Sequence, residues 1–289
     1  MKFATLFASS LVVAASALPA KRDTAPTEIE VLQFALTLEH LEDNFYKTYL
    51  GQYDAKDFDD AGYPDWVHGR VAQIGQHESE HVQFLSDAIG PNATAACEYT
   101  FPVTDVHSFL AVSQLLEGVG VTAYLGAAQF LTTKAYITAA AAILTTEARH
   151  NAWLGSAEAK GAPWSGAFDT PQTVDEVYSL AAPFIKSCPA SNPALPVKAF
   201  PTLSIATAGG NKLQLTFDGP ASGYLVFMTG LRKIFVPIAS DKTVTLPNGL
   251  QGVVYAIVSQ DGTTVSDDTT TAGPAVLDYP FDSYASNPQ

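Results

Sequence analysis

Four glutamates and two histidines, spaced as Glu39, Glu78-x-x-His81, Glu117 and Glu147-x-x-His150, constrain this chain more than any other feature. Each lies in a stretch with helical periodicity. Residues three apart share a helix face, so each Glu-x-x-His pair can aim both side chains at one point. Two helices supplying one Glu apiece and two supplying Glu-x-x-His form the ligand inventory of a di-iron or di-manganese site in a four-helix bundle. Accident is a weak competitor: 11 Glu and 6 His in 289 positions give about 0.2 such matches by random placement, against two observed. Tyr46 follows Glu39 by seven residues and Tyr124 follows Glu117 by seven. The chain therefore reads twice as Glu-x6-Tyr and then Glu-x-x-His.

Two metal ions bring a charge of about +4 or more, which calls for anionic oxygen ligands with neutral nitrogen donors beside them. Glu78 and Glu147 are expected to bridge the ions, Glu39 and Glu117 to cap one each, and His81 and His150 to complete the two spheres. Tyr46 and Tyr124 are placed to donate hydrogen bonds to the capping carboxylates, with aromatic core packing as an equal alternative. His40, Glu42 and Glu80 sit at other helical angles and are expected on the solvated surface. One motif competes. His77-Glu78-Ser79-Glu80-His81 fits both the His-Glu-x-x-His signature of zinc proteases and its reversed form. That minor alternative, a zinc metalloprotease, leaves Glu39, Glu117 and Glu147-x-x-His150 without a role, and strand-rich sequence upstream of the motif is missing. In the di-metal reading His77 points away from the metals.

Residues 1–20 read as a secretory signal peptide: Lys2, an apolar run from Phe3 to Ala15, and the small residues Ala15-Ser16-Ala17. Lys21-Arg22 then forms a dibasic site within a pro-segment, 21–25, and the protein is expected to be extracellular. Cys97 and Cys188 fit an oxidising compartment, and a disulfide between them would add about 4–5 kcal/mol by constraining the unfolded chain. Asn92-Ala-Thr94 is a glycosylation sequon just after the Gly90-Pro91 turn. The formal charge of −14 becomes −17 without Lys2, Lys21 and Arg22, with 12 basic residues against 29 acidic. Such a surface repels phosphate backbones, so no nucleic-acid partner is expected. Val119–Leu144 is apolar but carries Lys134 and many small residues; a buried helix pair explains it better than a transmembrane segment.

The periodicity divides the remainder. Residues 26–190 are helical: Glu28–Leu50, capped by Thr27 and Glu30; about Pro64 to Ile89; Asp105 to about Leu131; Lys134 to Lys160; and a shorter fifth helix, Thr173–Ile185. Gly118, Gly120 and Gly126 weaken the third helix by about 1 kcal/mol each relative to Ala, which suggests close packing beside the site. A Pro-rich linker spans 191–201. In 202–289, short runs rich in Val, Ile, Thr and aromatics read as about seven strands, including a hairpin at Gln260-Asp261-Gly262 leading to Thr263–Ser266. The expected fold class is α+β multidomain: a four-helix bundle plus a short fifth helix, followed by a small immunoglobulin-like β-sandwich. No His, Cys or Glu follows Cys188, so the β region reads as an accessory for surface or partner contact.

The chain resembles the ferritin-like superfamily, and within it the secreted fungal stress-response and late-sexual-development proteins, related to plant desiccation-associated proteins. The resemblance rests on Leu38-Glu-His-Leu-Glu42 with Phe45-Tyr46, His77-Glu-x-Glu-His81, Leu116-Glu117 with Tyr124-Leu-Gly126, and Leu144-Thr-x-Glu-Ala-Arg-His-x-x-Trp-Leu154. It implies two Fe or two Mn ions and a redox role in oxidative or desiccation stress, as an oxidase, ferroxidase or peroxide-handling protein. O2, peroxide or a small molecule would be the substrate. The other reading is a non-enzymatic stress or cell-surface protein with structural or vestigial metals, its β region touching cell wall or protein. Secretion, a glycan and an appended β region argue against an iron-storage cage.

Overall fold

The computed structural model describes residues 25–158, 161–282 and 284. The signal peptide, the dibasic site and Lys160 lie outside them. In chain order the described residues form α1 (Glu28–Leu50), α2 (Ala55–Asp60), α3 (Trp66–Ile89), β1 (Glu98–Tyr99), α4 (Val106–Ala127), α5 (Lys134–Trp153), α6 (Val174–Ala181) and β2 (Ile185–Ser187). Seven strands follow: β3 (Ser204–Gly209), β4 (Lys212–Thr216), β5 (Tyr224–Thr229), β6 (Arg232–Pro237), β7 (Thr243–Thr245), β8 (Gly252–Ser259) and β9 (Thr270–Tyr279). Two compact units result. The helical unit runs to Pro163 and takes up Phe184–Pro196; the β-rich unit combines Trp164–Pro183 with the chain from Val197 onward.

In the helical unit, the Thr27 hydroxyl accepts from the Glu30 amide while Glu30 accepts from the Thr27 amide, the reciprocal cap that Thr-x-x-Glu spells. Asp54 caps α2, a six-residue helix that sequence periodicity did not reveal because it buries only Phe58. Helix α1 packs on α3, α4 packs on α5, and α1 meets α4. Burial follows from that arrangement. Helices α1 and α4 are buried around most of their circumference, whereas α5 buries only Ile143, Glu147 and His150. Among the described residues, the helix long and apolar enough to cross a bilayer is Val106–Phe130, and 72% of its apolar window is buried inside the protein, as in a core helix.

The environment along α1 positions the site. Val31, Leu32 and Leu36 pack with Leu85 and Leu131 toward one end. Phe45, Tyr46 and Tyr49 pack with Phe101 and Phe109 toward the other. Glu39 and Glu42 lie between these apolar blocks. Each fully buried Leu or Phe contributes about 1.5–3 kcal/mol, which helps offset the burial of so many carboxylates. Cys97 and Cys188 are joined (S–S 1.96 Å), beside the two-stranded β1–β2 ladder. The bond fastens 184–196 to the rest of the helical unit.

The β-rich unit has two antiparallel sheets, in the orders β3-β4-β7 and β6-β5-β8-β9. Ile205, Leu213 and Leu215 from the first and Leu225, Phe227, Val254 and Ala256 from the second share one core. The intervening residues Val226, Met228, Tyr255 and Ile257 form a second cluster that Leu180 of α6 packs against. Both faces of β5 and β8 are therefore covered, and both strands read as unbroken apolar runs.

Two expectations are revised here. Helix α6 was read as closing the helical bundle, but it lies in the β-rich unit. Besides the Leu180 contact, the Asp175 carboxylate accepts from the Lys198 amide, and the Thr173 hydroxyl donates to Asp267. An amphipathic pattern says that one face is buried, not against what. Likewise, Thr263–Ser266 is not a strand. The Asp261 carboxylate accepts from the amides of Thr263 and Thr264 and curls that segment. The strand that pairs with β8 comes later, at Thr270–Tyr279. Pro274 disguised it, because a residue without an amide hydrogen argues against a paired strand. It is accommodated where the register shifts, between Ala256↔Ala275 and Val258↔Ala272.

Candidate metal centre

Four helices deliver the six sequence-marked side chains: Glu39 from α1, Glu78 and His81 from α3, Glu117 from α4, Glu147 and His150 from α5. Donor atoms of Glu39, Glu78, His81 and Glu147 lie within 4.8 Å of one another, and so do those of Glu78, Glu117, Glu147 and His150. Glu78 and Glu147 are common to both groups. His81 Nδ1 is 2.9 Å from Glu78 Oε2 and 3.3 Å from both Glu39 Oε2 and Glu147 Oε1. His150 Nδ1 is 2.9 Å from Glu117 Oε2 and 3.4 Å from Glu78 Oε1. The four carboxylates are at most 1% exposed.

Buried carboxylate oxygens normally find a hydrogen-bond donor. Glu39 Oε2, Glu78 Oε1 and both oxygens of Glu147 have no well-aligned donor; a histidine Nδ1 stands 3.3–3.4 Å from the first two and from Glu147 Oε1. Hard oxygen donors so placed beside two imidazoles are a donor set that fits a pair of Fe or Mn ions. The electrostatics of the metal-free centre point the same way. Burial, reinforced by the charges of Glu78 and its neighbours, raises Glu117 and pushes Glu147 well above the usual carboxylate range. Burial raises Glu39 to about 7. Burial also opposes ionisation of Glu78, but hydrogen bonds from His150 and His81 outweigh it and hold that carboxyl at about 2. Burial disfavours the charged imidazoles, yet bonds to Glu39 and Glu78 lift His81 to about 10, and bonds to Glu117 and Glu78 lift His150 to about 9. Without ions, protons supply the missing positive charge.

The tyrosines bond across the centre. Tyr46 of α1 donates to Glu117 Oε1 of α4 at 2.5 Å, and Tyr124 of α4 donates to Glu39 Oε1 of α1. His77 lies outside both donor groups but is not remote from them. Its ring stacks on His150, with centroids 5.1 Å apart, and its Nδ1 is 2.9 Å from His150 Nε2. It stands behind a candidate ligand and fixes that ring's orientation. A zinc-protease site needs His77 and His81 on one ion; here each side chain serves a different part of the centre.

Glu42 departs most from expectation. Read as solvated surface, it is 4% exposed, and its carboxyl is pushed well above the usual range by burial and by the charges of Glu39, Glu78 and Glu117. Glu39, Glu42 and Tyr46 stand at i, i+3 and i+7 on one face of α1, and that spacing was the available signal. Glu80 is exposed and accepts from Gln76; His40 is half-buried, with Nε2 3.0 Å from the Thr94 carbonyl oxygen. Of the three glycines of α4 singled out from sequence, Gly120 has a defined steric reason: a Cβ there would lie 2.8 Å from Glu147 Oε2 and 3.3 Å from Glu42 Oε1. Asn92 is exposed.

The sequence model of the ferritin-like domain matches residues 27–160, the stretch that carries all six candidate ligands. Residues 27–160 are thus similar to a ferritin-like domain and carry a carboxylate and histidine cluster compatible with a di-metal site. A curated relative, Protein rds1 of Schizosaccharomyces pombe (strain 972 / ATCC 24843), is 28% identical over 192 residues, covering 64% of this chain and 48% of that protein. The chain spans about half the length of the curated relative it matches.

Proposed function

We propose that this protein is a secreted di-metal oxidoreductase that uses two Fe or two Mn ions to act on O2, peroxide or a small oxidisable molecule. The carrying observation is the pair of donor groups that share Glu78 and Glu147, with both Glu147 oxygens buried and without a well-aligned hydrogen bond. In this reading Glu78 and Glu147 would serve both ions, Glu39 with His81 would complete one position, and Glu117 with His150 would complete the other. Bound ions supply reversible electron transfer at a Lewis-acidic pair. Tyr46 and Tyr124 fix the outer oxygens of Glu117 and Glu39, and His77 fixes the His150 ring. The protons held by the metal-free carboxyls and imidazoles leave as ions enter. A cavity of about 30 Å³ with an apolar lining reaches Leu38 and Tyr124 next to Glu39. It has room for a molecule about the size of O2, which supports a small substrate.

Secretion is supported by the signal-like residues 1–20 and by the disulfide. The exposed position of Asn92 supports glycosylation there. The role in oxidative or desiccation stress rests on the family resemblance. We read the two-sheet unit as immunoglobulin-like, contacting cell wall or another protein. The near-complete burial of the donors also favours a second reading, in which the metals are structural and the protein does not turn over.

Metal content of the native secreted protein, beside the Glu147→Ala, His150→Ala double variant, is the primary test. About two Fe or Mn per chain, lost in the variant, with O2 or peroxide consumption by the loaded protein, is the expected result. Two ions without turnover would favour structural metals. A single zinc that survives the double variant but not His77→Ala would replace this reading with the zinc-protease one.

A further inference from the structure

The two halves of the centre repeat each other at the principal positions. Glu39 corresponds to Glu117, Tyr46 to Tyr124, Glu78 to Glu147 and His81 to His150, and each tyrosine bonds the glutamate of the other half. One departure from the repeat bears on the carboxylates of the centre. Three residues after Glu39, α1 carries Glu42, whereas three residues after Glu117, α4 carries Gly120. The mismatch is complementary in space. The missing Cβ of Gly120 would sit 3.3 Å from Glu42 Oε1 and 2.8 Å from Glu147 Oε2, so both carboxylates border the volume that glycine leaves open. A side chain on α4 would collide with Glu147, whereas one on α1 reaches the same region from the opposite helix. Glu42 lies on the α1 face that carries Glu39 and Tyr46, flanked by apolar clusters on both sides, and is 4% exposed.

We infer that Glu42 is a seventh protein ligand of the di-metal centre, an extra carboxylate beside Glu147 that makes the two metal positions inequivalent. The inference rests on the di-metal reading and adds to it. With Glu42, five carboxylates face the pair of ions. A donor set richer in anionic oxygen favours the more highly charged, oxidised ions over the divalent ones. The asymmetry also gives the two ions different affinities, so they enter in sequence.

Titration of the metal-free full-length protein with Mn(II), followed by electron paramagnetic resonance, tests this without reference to activity. Wild type is expected to take up two ions with distinct affinities. Glu42→Gln, which keeps shape and removes charge, is expected to bind one ion as wild type does and the other about tenfold more weakly. Unchanged binding of both ions in Glu42→Gln would overturn the assignment. Should that variant not fold, a crystal structure of Mn-loaded wild type decides independently: a Glu42 oxygen within about 2.0–2.6 Å of an ion supports the assignment, and a longer distance overturns it. Wild type that takes up no ions in either experiment would remove the di-metal reading itself, and this inference with it.

Discussion

At the scale of residues, the centre is a set of buried charges whose partners are other members of the set. Tyr46→Phe removes the only hydrogen of the Tyr46–Glu117 bond and leaves a buried carboxylate oxygen short of a donor. Urea unfolding of the metal-free variant is expected to show a loss of about 1–3 kcal/mol. His77→Ala releases the outer nitrogen of His150. It is expected to weaken metal binding by about tenfold, less than the loss caused by His81→Ala, as read by competition with a chelator. The pH dependence follows from the shifts. Glu39, raised from 4.5 to about 7, holds its proton more tightly when folded, so its contribution is full below pH 4.5 and gone above about 7. His81 and His150, raised from 6.5 to about 10 and about 9, contribute fully below pH 6.5 and lose that contribution as pH climbs through those values. Glu78, lowered to about 2, contributes above pH 4.5 and loses it as pH falls through about 2. The Tm of metal-free protein should therefore fall between about pH 5 and 9, while metal uptake, which displaces these protons, strengthens over the same range. A metal-free Tm that rises across that interval would contradict these shifts.

At the scale of elements, α4 shows a helix accepting an unfavourable residue for the sake of its neighbour. Alanine in place of Gly120 gains about 1 kcal/mol in intrinsic helix stability. Its Cβ would meet Glu147 Oε2 at 2.8 Å, and overpacking a closed interior costs about 1–3 kcal/mol. The two effects are of similar size, and the clash falls on Glu147, one of the two candidate ligands common to both donor groups, whose carboxylate end would have to shift. Gly120→Ala is expected to fold with little or no gain in stability and to bind fewer ions per chain. Calorimetry and metal analysis on one preparation check both halves of that expectation.

At the scale of the whole molecule, the Cys97–Cys188 bond is the covalent tie within the helical unit, fixing 184–196 near β1. Reduction, or replacement of both cysteines by alanine, is expected to lower stability by about 2–5 kcal/mol in denaturant unfolding. The candidate metal centre lies on α1, α3, α4 and α5, so the ion stoichiometry expected of it should survive that change as long as the unit stays folded. Loss of ions at full secondary structure would show that the bond also sets the helix packing.

The sequence by itself determined the features that depend on local periodicity and donor chemistry. Glu-x-x-His spacing marked ligands on one helix face, Thr27 and Glu30 marked the start of α1, and unbroken apolar runs marked β5 and β8. Other features depend on which surface meets which, and only the tertiary structure decided them. Helix α6 has the same amphipathic pattern whether it packs on helices or on a sheet. Tyr46 and Tyr124 could be read as bonding near the centre, but not that each would reach the glutamate of the other half. From its helical angle relative to the ligands, Glu42 reads as surface. It is buried because Glu78, Glu117, Glu147 and the space left by Gly120 meet it from other helices, and no single segment carries that information.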